Sequence, residues 1–147
     1  MNTVFDKVKE FAVKAESYIP DKPTPISDKQ IHFIIRMVYD EMAELADTSL
    51  LTEKNEEEVI KKIAAQTDAL VDTIYYLIDC SVKHNVNLKN TFSLVHSANM
   101  RKIKNGVRKR KDGKILKPEN WQPPEPAIED DIRRQLNVGI DIHEKKN

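Results

Sequence analysis

The 147 residues include only three glycines, one cysteine and one tryptophan, and no apolar run reaches the 18 residues or so that a membrane-crossing helix needs. So few glycines, with seven prolines, exclude an all-β chain, which would need turn residues between many short strands. With no second cysteine there is neither a disulfide nor a cysteine zinc site, and Cys80, set in Tyr-Leu-Ile-Asp-Cys-Ser-Val, reads as a buried thiol. The Met1 to Ser17 stretch carries charges throughout instead of the apolar core of a signal peptide, so the expectation is a cytosolic protein with no membrane segment. What is present is charge: 33% of residues are Asp, Glu, Lys or Arg against 39% hydrophobic, a mixture suited to amphipathic helices. The length is that of one ordinary domain.

The formal net charge of zero hides segregation. Between Arg101 and Lys117 nine Lys or Arg stand against Asp112 alone, a net of +8. Much of the opposing charge lies between Asp40 and Glu58, where eight acids face only Lys54.

Apolar spacing predicts the helices. Val4, Val8, Phe11 and Ala15 mark a first helix over about Thr3–Ala15, ended by the three prolines of Ile19 to Pro25. Ser27 and Gln30 form a capping-box signature ahead of Ile31, Ile34, Ile35, Val38, Met42 and Leu45, a second helix to about Ala46. Asn55 as N-cap, with acids in the first turn, opens a long third helix reaching His84 or Asn85. A fourth runs from Leu88 or Asn90 to Ile103. Asn105-Gly106 and Asp112-Gly113 are turn dipeptides that make the basic segment an irregular, hairpin-like loop. An extended proline-bounded tail through Trp121 follows, and Ala127 to Asn147 reads as a short helix or frayed end. The expected fold is therefore an all-α antiparallel bundle of about four helices, with residues 1–124 as the domain and 125–147 as a tail.

Certain carboxylates do not suit a plain amphipathic helix. Glu41 and Glu44 are three apart on the second helix; Asp68 and Asp72 are four apart on the third, with Asp79 seven further on, in a stretch without Lys or Arg from Ala64 through Val82. Acids near a core need a positive partner, and oxygen-only ligands favour Mg²⁺ or Mn²⁺ over zinc. Basic side chains from elsewhere are the other possible partner.

Glu41-Met42-Ala43-Glu44, followed after 23 residues by Asp68-Ala69-Leu70-Val71-Asp72, resembles the paired acidic motifs of the all-α nucleoside triphosphate pyrophosphohydrolases, the MazG-like and phosphoribosyl-ATP pyrophosphohydrolase-like superfamily. Val4 to Phe11 before a proline-rich loop, Val95 to Lys102, and Asp112 to Lys117 leading to Asn120-Trp121-Gln122-Pro123-Pro124 extend the likeness over about Val4 to Pro124. One departure stands out: Ala69 occupies the place of the usual glutamate of the second motif, and Asp68 is the nearest substitute.

The resemblance implies a homodimer or homotetramer that hydrolyses a nucleoside triphosphate to the monophosphate and pyrophosphate with Mg²⁺. It implies Glu41, Glu44 and Asp72 as metal ligands, Asp68 as ligand or base, and Glu41 with Asp68 as the catalytic pair. His96, Asn99 and Lys102, at three-residue spacing on the fourth helix, and Trp121 in the tail are the substrate-binding candidates, for phosphate, sugar or base. Two other readings compete. The basic segment resembles a nucleic-acid arm but lacks interleaved aromatic residues, which argues against nucleic acid as a partner; and Ala69 suits a helical scaffold without catalysis.

Overall fold

The computed structural model describes residues 3–144. Five α-helices follow in order: α1 (Val4–Lys14), α2 (Asp28–Asp47), α3 (Glu56–Lys83), α4 (Leu88–Ile103) and α5 (Glu125–Glu144), with one 3₁₀ turn at Thr48–Leu50. No helix among the described residues is long and apolar enough to cross a membrane. The helices start where side chains satisfy otherwise unpaired N–H groups. Thr3 and Asp6 form a full capping box on α1, Ser27 accepts from the Gln30 N–H on α2, and Asn55 accepts from the Glu58 N–H on α3 at 2.9 Å. Glu58 is held in turn by the Thr52 hydroxyl and the Lys54 N–H, which keep its carboxyl below the usual range.

The contacts divide the chain into two compact units. The first holds α1, α2, the 3₁₀ turn and α3. Val8 and Ala12 of α1 and Ala69 and Ile78 of α3 are its buried apolar residues, and Phe11 meets Tyr75 edge-to-face with ring centres 5.8 Å apart. The register of α2 against α3 is set at the end of α2, where Thr48 donates to the Leu45 carbonyl and accepts from the Gln66 amide at 3.2 Å. From that tie the chain runs back along α2 to Glu44 and Glu41 and forward along α3 to Asp68 and Asp72. Cys80 is half-buried rather than buried, and desolvation pushes its thiol up.

The second unit holds α4, the basic loop and α5. The loop is hairpin-like, as its turn dipeptides predict: Lys109 and Ile115 form an isolated antiparallel bridge, the Arg110 N–H donates to the Lys114 carbonyl, and Gly113 turns the chain at φ +85°. Gly106 turns it at φ +107°, where a β-carbon is also disfavoured.

The end of the chain departs from the sequence reading. A twenty-residue helix starting at Glu125 stands where only a short helix or frayed end is predicted. The reason is Asp131, which is 1% exposed and accepts from Gln135 at 2.9 Å, from Thr91 at 3.3 Å, and from Asn90 and Arg134 at 3.4 Å. Gln135 also brackets the start of α4, accepting from the Asn87 N–H and donating to the Asn87 carbonyl. Partners some forty residues away in sequence leave no local signal.

Burial alone would raise the Asp131 carboxyl, but the bonds from Gln135, Arg134, Asn90 and Thr91 outweigh it and leave the group below its ordinary value. A lowered carboxylate stabilises the fold above the unfolded-state value of about 3.9, and that contribution is lost as pH falls through the folded-state value. Asp131→Ala strands several donors and should cost about 3 kcal/mol. Hydrogen exchange should show the loss as faster exchange across 125–137 and the start of α4, with α2 and α3 unchanged.

Candidate active site

The four carboxylates nominated by the sequence all lie on the first unit, near enough for the charges of Glu44, Asp68 and Asp72 to act on Glu41. Burial, then the charges of Glu44, Asp72, Asp68 and Asp40 in that order, raise the Glu41 carboxyl above its usual range. That shift records proximity: acids from both helices act on one another across the α2–α3 packing. Glu41 is half-buried, while Glu44, Asp68 and Asp72 face solvent. Ala69 is 3% exposed, packed into the interior of the unit. The outward place that completes the acid patch falls to Asp68, one turn before Asp72.

Asp79 does not join them. It pairs with Lys83 at 2.6 Å, one residue beyond the lysine-free stretch, and its other carboxylate oxygen is buried without a hydrogen-bond partner among the described residues. By contrast, no ion pair reaches Glu41, Glu44, Asp68 or Asp72 among the described residues. Basic partners among the described residues therefore do not account for these four acids.

The donor set suits a hard divalent cation. It offers carboxylate oxygens only, concentrates negative charge, and supplies no internal cation to neutralise it. Among the described residues no three possible ligands already converge closely enough to hold an ion. Glu41, Glu44, Asp68 and Asp72 are the residues that would hold it.

The second unit carries the other candidates. Lys102 donates to the Asn99 side-chain carbonyl at 2.7 Å, and its ammonium lies 5.0 Å from the centre of the Trp121 ring. Trp121 is fixed by its indole N–H, which donates to the Ala98 carbonyl at 2.7 Å, and by its backbone N–H on the Pro118 carbonyl. Asn99, Lys102 and Trp121 are thus brought together. His96 is exposed and has no hydrogen-bond partner among the described residues. Sequence reasoning missed Lys117, whose ammonium sits 4.4 Å from the same ring centre; its one available signal was its place four residues before the sole tryptophan.

The helices that carry the four acids are those of an all-α pyrophosphohydrolase acting on a nucleotide-like substrate, because residues 8–99, from α1 through most of α4, match a family described as phosphoribosyl-ATP pyrophosphohydrolase. The chain belongs to that family, within the superfamily its paired acidic motifs resemble. No individual curated protein matches it.

Proposed function

We propose that the chain is a Mg²⁺-dependent nucleoside triphosphate pyrophosphohydrolase, with Mn²⁺ as an alternative ion, that cleaves between the α and β phosphates to release the monophosphate and pyrophosphate. The observation that supports this most is the shared field of Glu41, Glu44, Asp68 and Asp72, unpaired with any base among the described residues and raised at Glu41 by its neighbours. Bound Mg²⁺ would neutralise the triphosphate and acidify the attacking water. Glu41, Glu44 and Asp72 would hold the ion, with Asp68 as a further ligand or base. Glu41, whose carboxyl binds a proton more readily than an ordinary glutamate, takes the proton from the water with Asp68 as its partner or alternate. On the second unit, Asn99, Lys102, His96 and Trp121 are the candidates for binding phosphate, sugar or base. Residues 1–124 form the hydrolase domain, and the protein works in the cytoplasm.

The assembly is a homodimer or homotetramer, built on the apolar face of α2 and α3. Although α2 is twenty residues long, none of its residues is buried. Ile35 is 61% and Tyr39 71% exposed, beside a groove of about 370 Å³ lined by Ile34, Ile35, Val38, Tyr39, Met42 and Leu77. Exposed apolar side chains gathered along one helix face mark a protein contact, and a second copy offers the same surface in return across a two-fold axis.

The test of the reaction is a panel of standard and modified ribo- and deoxynucleoside triphosphates with Mg²⁺, scored for pyrophosphate against orthophosphate. Pyrophosphate with a stoichiometric monophosphate is the expected product. Orthophosphate as the sole product, or no turnover of any member, would refute the reaction.

A further inference from the structure

Two like charges share one aromatic ring in the second unit. The Lys102 and Lys117 ammonium groups lie 5.0 and 4.4 Å from the Trp121 centroid, which brings them within about one Debye length of each other at 0.1 M salt. Neither forms an ion pair among the described residues. Lys102 has only the Asn99 amide oxygen, while the neighbouring Asp112 is taken by Arg110, which it contacts in a bidentate pair. The ring's electron-rich π system attracts both cations, and the ring is tethered: its N–H is tied to the Ala98 carbonyl, and Arg101 bonds the next carbonyl, that of Gln122, at 3.3 Å.

Such a pair of unneutralised ammonium groups, joined by a fixed spacer, fits an anion with charge on neighbouring phosphates better than a single phosphate. It also gives Trp121 a different task from stacking on a base, because the indole is already engaged by two lysines. We propose that Lys102 and Lys117 form a polyphosphate clamp with Trp121 as the positioning residue between them, and that Lys117 is a phosphate-binding residue of this protein. Lys117 and Trp121 lie beyond residues 8–99, so the family match does not assign them. Any role of the clamp toward a triphosphate substrate rests on the pyrophosphohydrolase reading; the clamp itself lies within the second unit and needs only a polyphosphate anion.

The test uses the full chain and inorganic tripolyphosphate, followed by calorimetry and by the emission of Trp121, the one tryptophan present. Tripolyphosphate should bind and shift the emission, whereas orthophosphate at equal concentration should not. Lys117→Met should weaken tripolyphosphate binding by about tenfold or more, the loss expected for one charge-assisted contact. Lys117→Arg should retain most of the affinity, and Lys111→Met, in the same basic loop but away from the ring, should leave it unchanged. Equal affinity in wild type and Lys117→Met, or an equal loss in Lys117→Met and Lys111→Met, would overturn the clamp; so would a response to a short single-stranded DNA with none to tripolyphosphate. Lysine-dependent tripolyphosphate binding in a protein that hydrolyses no triphosphate would leave the clamp standing and remove the proposed reaction.

Discussion

Replacing Asp72 with Asn should lower turnover by a factor on the order of a thousand, because a lost Mg²⁺ ligand removes several kcal/mol of transition-state charge stabilisation. The same substitution should leave the metal-free protein folded and no less stable. Asp72 is solvent-facing, makes no ion pair among the described residues, and adds to the repulsion felt by Glu41. Removing its charge relieves a like-charge cluster and empties no cavity. Glu44→Gln should behave alike, since Glu44 is the largest charge contribution at Glu41. The measurement pairs steady-state rates with thermal unfolding with and without Mg²⁺. Wild type should gain stability as Mg²⁺ is added, by mass action on the folded state, and both variants should gain much less. Wild-type turnover in either variant would refute the ligand set; a large fall in metal-free stability would show that these acids serve the fold.

Much of this site is legible in the amino-acid sequence, and the physical reason is the helix. Asp68 and Asp72 repeat with the period of a helix, so their shared face follows from spacing, and the caps at Ser27 and Asn55 fix where α2 and α3 begin. What spacing does not decide is which neighbour of a motif position points outward. Ala69 stands at the family's glutamate position but packs inside, and only the α2–α3 register, tied at Thr48 and Gln66, shows Asp68 on the side where Glu41 feels its charge. Asp79 shows the opposite failure. It continues the acidic face on paper, yet the next turn supplies Lys83 and takes it out of the patch. The second unit leaves less trace in its residue pattern. Trp121 meets Lys102 through an extended segment with no periodicity, and Asp131 reaches across some forty residues to Asn90 and Thr91. Contacts of that kind depend on tertiary packing alone.

Ile35→Glu should convert the assembled protein to monomers. In the single chain Ile35 is 61% exposed, so the new carboxylate meets water and the helix keeps its backbone bonds; the stability of an isolated subunit should change little. In the proposed assembly the same site lines the groove formed with Val38, Met42 and Leu77, and a two-fold contact would bury the substitution twice, once from each copy. Burying an unpaired charge costs about 3 kcal/mol or more per site, so two copies weaken a dimer by roughly ten-thousandfold. Sedimentation at micromolar concentration should then show a monomer, while Val107→Glu, an equally conspicuous charge in the second unit's basic loop, should leave the assembled size unchanged. Turnover should fall along with assembly, because Met42 lines the groove and stands next to Glu41 on α2, so whatever covers the apolar face also limits the freedom of the acid patch. An Ile35→Glu protein that sediments as wild type does would remove the α2–α3 face as the contact between copies and leave its exposed isoleucines unexplained.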